Sequence, residues 1–553
     1  MKAKNKLYAI LTFAATFYFI NVATNAQVVV KSTKIPVKTI IGKTKTNIVL
    51  PQVPKYPVRP IGQPLINTGK QHGGGINIFG DSAYYKKNNA NIINMSLQNK
   101  ALQQAMKKLD NIKERIEKNK KLLKALTTKY ENRFLNYVKI NSQSVDTADM
   151  NAFPMTSGQI KMAEYLENEL RGICKESNAV ITRSADQYVY VKIPSNITNK
   201  SVPSIMFMAH LDVTPEVPGQ NIKPIVHENY NGGDIKLPAG IVLSPETPQG
   251  AHLKNCNGKT IITSDGSTLL GADDKAGVTI LVGLVEILVK NKKIQHGDVY
   301  MVFSQNEDIG RAAYRFETKY VDGSPDIVID VDGNTPDKFS VENFTASMII
   351  YHFHGNEAHP SEGFTNKYGD ALTAASYFIG QLDPSKHPSA SKDKQGYIHC
   401  YSMVHPTDST GKEISEDYLV KIRLRYFDKN EGDTLRQMLH NAERLVADAY
   451  PFVKAEAGTE MMQYENIAYT MYPGTTELII NSAAKYGMTM SPSSERSGTT
   501  SAMMAAKGLR GGPCIYSAQQ AAHSVYEWVC VEDMVRMMFV TLDIVRNVSS
   551  MKK

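Results

Sequence analysis

The stretch TSDGSTLLGADDKAG, residues 263–277, places two adjacent carboxylates, Asp273 and Asp274, at the end of an apolar turn and directly before Lys275. Small residues follow, so a helix is expected to begin there. A carboxylate beside the free amides of a helix N-terminus is well placed to hold a divalent cation. An Asp-Asp-Lys run is also typical of solvated surface, so the stretch by itself leaves both interpretations open.

The chain on both sides of this stretch alternates between strand and helix patterns, which is typical of an α/β domain. The predicted elements are a helix at 158–174, strands at 188–193 and 204–209, a helix at 278–289, and strands at 298–303 and 326–329. The pattern resumes near the C-terminus with helices at 475–486, 501–508 and 532–548. We therefore predict a catalytic domain in two parts, residues 131–344 and 464–553.

Between those two parts, the pattern of predicted strands and helices changes and indicates an inserted α+β unit, residues 345–463. Its strands are predicted at 347–354, 396–403 and 418–427, and its helices at 367–381 and 431–446. We expect the unit to form a four-stranded sheet. Hereafter, residues 345–463 are called the inserted unit.

The first 26 residues have the pattern of a secretory signal peptide. Three lysines within the first six residues precede an apolar run at 7–20, which is too short to span a bilayer comfortably. Small residues before and at Ala26 offer a cleavage site. An uncleaved membrane anchor is the alternative. We therefore predict an exported protein, periplasmic or secreted, with association with the envelope as an open question.

Residues 27–95 have the composition of a basic, disordered linker. They carry ten lysines and arginines against a single acid, Asp81. Such a segment cannot bury enough apolar surface to offset the entropy of ordering it. A plain spacer is one interpretation, and a segment that holds the protein near an anionic envelope polymer is the other.

Residues 96–130 repeat apolar side chains every seven positions, at Leu102, Leu109, Ile116 and Leu123, which predicts a long heptad-patterned helix. Four heptads are enough for a coiled coil. One long helix that lies on its own enzyme domain is the alternative.

The overall composition is that of an ordinary globular protein, with 42% hydrophobic and 21% charged residues. The net charge of +9 is modest for 553 residues, and we expect no nucleic-acid partner. No stretch after the leader is apolar enough for a membrane span, so we expect no integral membrane domain. The five cysteines show neither CxxC nor paired spacing, which predicts no disulfide framework and no structural zinc site.

Five short motifs stand where predicted strands or turns end, and open α/β sheets place their ligands at such ends. The motifs are His210-Leu211-Asp212, Asp273, Glu307-Asp308, Asp332 and His523. Because Asp212 lies two residues after His210, both share one face of an extended segment, and Asp212 can orient the imidazole as a metal ligand. Each motif alone is commonplace. Together, two histidines and three carboxylates, one of them bridging, suit two zinc-like ions about 3.5–4 Å apart.

In this order the motifs resemble the peptidase T family, the tripeptide aminopeptidases among the co-catalytic zinc peptidases. The stretches that carry the resemblance are HLDVTP, LLGADDKAG, FSQNEDIG, VDG followed by ENF, GNEAHP, RYFDK, RSGTT and HSVYEWV. The resemblance covers about residues 126–548. It implies an α/β, zinc-exopeptidase-like catalytic domain in which the inserted unit is a lid and dimerisation domain.

The resemblance also implies a role for each residue of the five motifs. The implied ligands are His210 and Asp332 for one ion, Asp308 and His523 for the other, and Asp273 as the bridge between them. Glu307 then matches the general base that deprotonates the bridging water, and Asp212 matches the carboxylate behind His210. The implied cofactor is a pair of divalent ions per subunit, with zinc as the first choice and manganese or cobalt as alternatives.

Three further residues are implied in substrate binding. His359 matches a residue that steadies the tetrahedral oxyanion, Arg425 one near the substrate carboxylate, and Arg496 a further substrate-binding arginine. Strand alternation lets Arg425 face a cleft, and a guanidinium can bind a C-terminal carboxylate as a bidentate fork. Ordinary surface or ion-pair roles are the alternative for all three.

Three features depart from the family pattern. Asp308 stands where the family has Glu, which shortens the reach to the second ion by one methylene. The sequence SGTTS at 497–501 replaces GGTDG, and the missing acid could alter how the amino terminus of a peptide is read. The predicted signal peptide is itself a departure, since the family that the chain resembles is one of cytosolic enzymes.

The sequence thus predicts an exported dinuclear metallo-aminopeptidase for short peptides, with a homodimer formed through the inserted unit or the heptad helix. Another exopeptidase or an amide deacylase on the same scaffold is the first alternative, since the metal site does not choose the substrate. A catalytically degenerate, envelope-attached binding protein is the second.

Overall fold

The computed structural model describes residues 119, 121–147, 152–356, 359, 361 and 367–553. The predicted signal peptide, the basic linker and residues 96–118 and 120 of the predicted heptad helix lie outside the described residues.

The described chain alternates between strands and helices. The helices are α1 (121–138), α2 (Ser157–Cys174), α3 (Ala272–Lys290), α4 (Ala371–Gly380), α5 (Lys429–Ala449), α6 (Thr475–Ala484), α7 (Thr500–Ala505) and α8 (Val531–Val548). The strands are β1 (Val180–Arg183), β2 (Val189–Ile193), β3 (Ile205–His210), β4 (Ile225–His227), β5 (Ile235–Lys236), β6 (Val242–Leu243), β7 (Ile261–Thr263), β8 (Val299–Ser304), β9 (Ile327–Gly333), β10 (Lys338–Asn343), β11 (Thr345–His354), β12 (Tyr397–Val404), β13 (Tyr418–Tyr426), β14 (Lys454–Ala457), β15 (Met461–Tyr464), β16 (Ser491–Glu495), β17 (Cys514–Tyr516), β18 (Gln519–Gln520) and β19 (Trp528–Cys530). This mixed α/β order confirms the predicted fold class.

Among the described residues, the main sheet has eight strands in the order β1-β2-β8-β3-β9-β17-β10-β16. β3 runs parallel to both β8 and β9. β3 and β8 are buried along their whole length, and continuous apolar runs suit parallel strands that are covered on both faces. The carboxyl ends of β3, β8 and β9 therefore meet at one edge of the sheet, where this class of fold places its ligands.

Helices α1 and α3 contribute to the main hydrophobic core beside this sheet. α1 contributes Tyr130, and α3 carries Gly283 where an added Cβ would lie 1.9 Å from the Tyr130 hydroxyl. Leu123 and Leu126, which belong to the predicted heptad pattern, pack against the same core. For the described part of the pattern, this packing favours a helix that lies on its own domain over a coiled coil.

The inserted unit has its own hydrophobic core and its own sheet. The described strands run in the order β12-β13-β11-β14, and β15 also pairs with β11. Helices α4 and α5 pack on one face, where Ile349, Tyr351 and Phe353 are buried. The sheet has five strands rather than the predicted four, because the ten-residue β11 is flanked along one edge by two short strands, which no alternation in the sequence marked.

A smaller sheet has the order β18-β19-β7-β4, and its strand β7 ends at Thr263, where the stretch 263–277 begins. Trp528 of β19 belongs to a small hydrophobic core beside this sheet. All five cysteines are free thiols. Among the described residues, no helix combines the length and the apolarity needed to cross a membrane.

Candidate metal centre

The predicted metal ligands converge at the carboxyl edge of the main sheet. His210 is the last residue of β3, and Asp332 lies near the end of β9. Glu307 and Asp308 follow β8 by three and four residues. These strands are parallel neighbours, so residues that are about one hundred positions apart in the sequence become neighbours in space.

Asp273 occupies the middle of this group. Its Oδ1 lies 2.8 Å from His210 Nε2, and its Oδ2 lies 3.3 Å from His523 Nε2. Each carboxylate oxygen thus faces a different histidine. This is the arrangement that a carboxylate needs to bridge two cations.

The two remaining carboxylates divide between the two histidines. Asp332 Oδ1 lies 3.7 Å from His210 Nε2, whereas Asp308 Oδ1 lies 2.7 Å from His523 Nε2. The structure therefore brings together all five residues implied as ligands, in two halves that share Asp273.

A buried glutamate that the sequence analysis did not single out shapes the turn before Asp273. Glu527 is 1% exposed, and its carboxylate accepts hydrogen bonds from the backbone amides of Leu270, Gly271 and Asp273 at 2.6, 2.6 and 2.8 Å. Burial raises the pKa of Glu527 to about 7. The motif HSVYEWV contains this residue, but nothing in its local pattern shows that it reaches a turn more than 250 positions earlier.

Asp274 points away from the bridge and toward the backbone. Its Oδ2 accepts a hydrogen bond from the amide of His210 at 3.3 Å, and its Oδ1 accepts one from Gly277 at 3.1 Å. Its carboxylate also lies close enough to His210 and Asp332 to belong to a group that could hold a metal ion. The two backbone hydrogen bonds are the closer contacts, so we regard Asp274 chiefly as a residue that positions His210.

Asp212 also supports the centre in a way that the sequence did not predict. Its carboxylate accepts hydrogen bonds from the amides of Glu307 and Asp308 at 3.0 and 3.3 Å. The atom of Asp212 that lies within hydrogen-bond distance of His210 Nδ1 is its backbone oxygen, at 3.1 Å, whereas the carboxylate is 3.5 Å away. Asp212 therefore fixes the Glu307–Asp308 turn, and its main chain orients the His210 ring.

The second histidine has a carboxylate behind it that the sequence analysis missed. Glu216 Oε2 lies 3.2 Å from His523 Nδ1, on the side of the ring opposite Asp308. A carboxylate in that position fixes the orientation of a metal-binding imidazole. Glu216 stands six residues after His210, but its partner is more than 300 residues away.

Glu307 lies beside the ligands and outside the groups of described residues that could hold a metal ion. Its Oε2 is 4.0 Å from His210 Nε2, and its Oε1 accepts a hydrogen bond from the Thr500 hydroxyl at 2.9 Å. Burial raises the pKa of Glu307 above its usual value. Thr500 belongs to SGTTS, the stretch that departs from the family pattern.

The carboxylates are close enough to alter one another's ionisation. Burial, reinforced by the charge of Asp273, raises the pKa of Asp308 and of Asp332 well above the usual range. Burial alone would lower the pKa of His210, but the charges of Asp332 and Asp308 raise it well above its ordinary value. Hydrogen bonds to Asp273 and Asp308 raise the pKa of His523 to about 11. The carboxylates therefore cannot all be ionised at low cost unless cations or protons neutralise their charges.

The donor set fits two divalent ions. Asp308 Oδ2 is buried and has no hydrogen-bond partner among the described residues, which is costly for an anionic oxygen unless a cation contacts it. The groups that could hold an ion here are His210 with Asp274 and Asp332, His210 with Asp212 and Asp308, and Asp273 with Asp308 and His523. Nitrogen and carboxylate ligands in such sets are those that zinc accepts.

The three residues implied in substrate binding lie apart from these ligands. Arg425 is nearly buried and donates hydrogen bonds to Ser347 O at 3.3 Å and to Gln463 Oε1 at 3.0 Å. Arg496 is exposed and donates to the backbone oxygen of Asp393. His359 is exposed, and its Nδ1 lies 2.6 Å from the hydroxyl of the nearby Ser361. No contact joins any of the three to the metal centre among the described residues.

The chain is similar to known proteins along most of its length. It is 32% identical over 428 residues to peptidase T of Shouchella clausii, an alignment that covers 76% of this chain and 98% of that relative. The structure resembles that of aminopeptidase PepT from Bacillus cereus, with a TM-score of 0.55 and 17% identity over 76% of this chain and 98% of that one. It also resembles a tripeptidase from Staphylococcus aureus, with a TM-score of 0.53 and 17% identity over 77% and 99%. No family model matches the chain.

The prediction of an exported protein, periplasmic or secreted, is wrong, because the peptidase T relatives are cytoplasmic enzymes. That prediction relied on the apolar run near the N-terminus, which lies outside the described residues.

Proposed function

The chain belongs to the peptidase T family, and from that premise we propose how its residues carry out metal-dependent removal of the N-terminal residue from a tripeptide. The observation that supports the proposal most directly is the position of Asp273, whose two carboxylate oxygens face His210 and His523 separately. A structural ion pair would need only one of these contacts.

In this proposal His210 and Asp332 would hold one ion, His523 and Asp308 would hold the other, and Asp273 would be shared between the two. We propose zinc as the native metal, with manganese and cobalt as the alternatives. Asp308 is one methylene shorter than the glutamate of the family pattern, yet its Oδ1 lies 2.7 Å from His523 Nε2, so it can still serve the same ion as that histidine.

When bound, the two ions would lower the pKa of a shared water and polarise the scissile carbonyl. Glu307 would take the proton of that water and pass it to the leaving amine. Thr500 holds one oxygen of Glu307, which leaves Oε2 directed toward the ligands. Asp212 keeps Glu307 in place by accepting a hydrogen bond from its amide.

The substrate residues and the assembly are further parts of this proposal. Arg425 would bind the C-terminal carboxylate of the peptide after exchanging its present partner Gln463 for it, and Arg496 would bind substrate from the catalytic domain. His359 would steady the oxyanion. The inserted unit would act as a lid and as the surface of a homodimer.

A tripeptide assay with a metal chelator tests the proposed function. We expect hydrolysis to stop when the chelator removes the ions and to return on addition of zinc, manganese or cobalt, and the best of the three identifies the metal. A panel of N-acetylated amino acids is run in parallel, because Thr500 stands where the family has an acid. Cleavage of the acetylated panel without tripeptide cleavage would favour the deacylase alternative.

Metal binding is expected to release protons at neutral pH. Hydrogen bonds to Asp273 and Asp308 raise the pKa of His523 to about 11, so this ring holds a proton in the apo-protein near pH 7, and a metal ligand must be deprotonated to bind. The pKa values of Asp308, Asp332 and His210 are shifted in the same upward direction. The apparent zinc affinity should therefore rise as the pH increases from 6 to 8. Calorimetric titration in two buffers of different ionisation enthalpy measures the released protons, and equal heats in both buffers would contradict the prediction.

A degenerate binding protein would behave differently in the same measurements. Two results together would favour the binding protein over the proposed enzyme. The purified protein would keep less than about one divalent ion per chain under conditions that saturate a dinuclear centre, and it would not cleave tripeptides.

A further inference from the structure

A second cluster of histidines and carboxylates lies in the inserted unit, away from the metal centre described above. His352 and His354 belong to β11, and their alternate spacing places both on the face of the sheet opposite the buried Tyr351 and Phe353. Asp417 directly precedes β13. In the pairing of β11 with β13, Phe353 lies opposite Tyr418, so Asp417 comes next to His354.

The ligand atoms of these three residues converge. Asp417 Oδ2 lies 2.9 Å from His352 Nε2 and 3.1 Å from His354 Nδ1. The two imidazole rings are stacked with their centroids 3.6 Å apart. All three ligand atoms lie within 4.8 Å of one another, which is close enough for a single ion to contact them together.

Neighbouring groups hold His354 and Asp417 in place. Glu456 Oε2, from the neighbouring β14, lies 3.4 Å from His354 Nε2, which is the ring nitrogen that faces away from Asp417. The other oxygen of Asp417 accepts a hydrogen bond from the amide of Gly355 at 3.1 Å. A carboxylate behind a histidine, and a backbone donor behind a carboxylate, are the supports that orient metal ligands in proteins.

We propose that His352, His354 and Asp417 form a further binding site for a zinc-like divalent ion in the inserted unit. Two imidazoles and one carboxylate are ligands that zinc accepts, and the two histidine side chains are about one-third exposed, at 31% and 36%, so an ion and a fourth ligand from water can enter. The site is independent of the dinuclear centre and goes beyond the aminopeptidase function. An ion there would join the end of β11 to Asp417, which directly precedes β13.

The test compares zinc bound at equilibrium by wild type and by the double variant H352Q/H354Q, each dialysed as the full chain. We expect the double variant to bind about one zinc ion fewer per chain than wild type. H440Q is the matched control, because His440 is an exposed histidine that contacts only Glu443 among the described residues; it should bind as much zinc as wild type. The measured quantity is the difference in bound zinc between wild type and the variant. If the dinuclear proposal fails, the total zinc bound by every protein changes, but this difference stays the same.

A second variant guards against a general loss of structure. D417N keeps the size of the side chain and should also bind about one zinc ion fewer. Zinc should raise the unfolding temperature of wild type by more than it raises that of D417N or H352Q/H354Q. Equal zinc content in wild type and both variants would overturn the proposal, as would an equal loss of zinc in H440Q, which would indicate adventitious surface binding only.

Discussion

Glu307→Gln is expected to lower kcat for tripeptide hydrolysis by about 10²–10⁴-fold, the range that a general base contributes, while the metal content stays at the wild-type level. Glutamine has nearly the same shape and can accept the hydrogen bond from Thr500 that Glu307 accepts at 2.9 Å, but it cannot take a proton from water. Glu307 is also absent from the groups of described residues that could hold an ion. The measurements are steady-state kinetics and metal analysis on the same sample.

Two further variants serve as comparisons for Glu307→Gln. Glu246→Gln changes an exposed glutamate that pairs only with Lys254 among the described residues, and it should leave kcat unchanged. Thr500→Val removes the hydroxyl that holds Glu307 and should lower kcat by about 10-fold, in line with the loss of one hydrogen bond to a charged group. A Glu307→Gln protein that keeps its metals and more than a tenth of the wild-type kcat would rule out Glu307 as the general base.

Asp273→Ala is expected to remove both metal ions and to lower kcat/KM by more than about 100-fold. This loss is larger than the one that usually follows removal of a residue that only orients a metal ligand. The reason is that the two oxygens of Asp273 face the two halves of the centre, at 2.8 Å from His210 and 3.3 Å from His523. No other described carboxylate lies within ion-pair distance of both histidine Nε2 atoms. Metal analysis after dialysis measures the loss.

The neighbouring acid provides the matched comparison. Asp274→Ala should keep at least one ion, although it leaves the amides of His210 and Gly277 without their acceptor and costs about 1–3 kcal/mol for each unpaired buried donor. Burial raises the pKa of Asp274 well above its usual range, so Asp274→Asn, which resembles the neutral acid, is the milder change. Equal metal loss in the Asp273 and Asp274 variants would contradict a bridging role that belongs to Asp273 alone.

The residues that support the metal ligands could not be predicted from the sequence. Glu527, Glu216 and Thr500 each make a contact that shapes the centre, and all three lie inside motifs that the sequence analysis quoted or next to them. Their roles stayed hidden because each partner lies some 190 to more than 300 positions away. A motif shows which side chains are present, but it does not show which loops lie next to one another in the folded protein.

The prediction of Asp212 as the carboxylate behind His210 illustrates the same limit. Spacing of two residues correctly placed both on one side of the chain, and the His210 ring does contact Asp212. The contact is through the backbone oxygen, because the amides of Glu307 and Asp308, brought alongside by the pairing of β3 with β8, bind the carboxylate more closely.

By itself, the sequence determined the mixed α/β fold, and it predicted the inserted α+β unit and the motifs whose resemblance to the peptidase T family implies the five metal ligands. These features depend on hydrophobic periodicity and on the order of polar residues at strand ends, and both are local properties of the chain. Only the tertiary structure decided that Asp273 and not Asp274 faces both histidines, that Glu527 shapes the turn before it, and that His352, His354 and Asp417 converge. Those contacts depend on strand register and on loops that meet across hundreds of residues, and no local pattern contains that information.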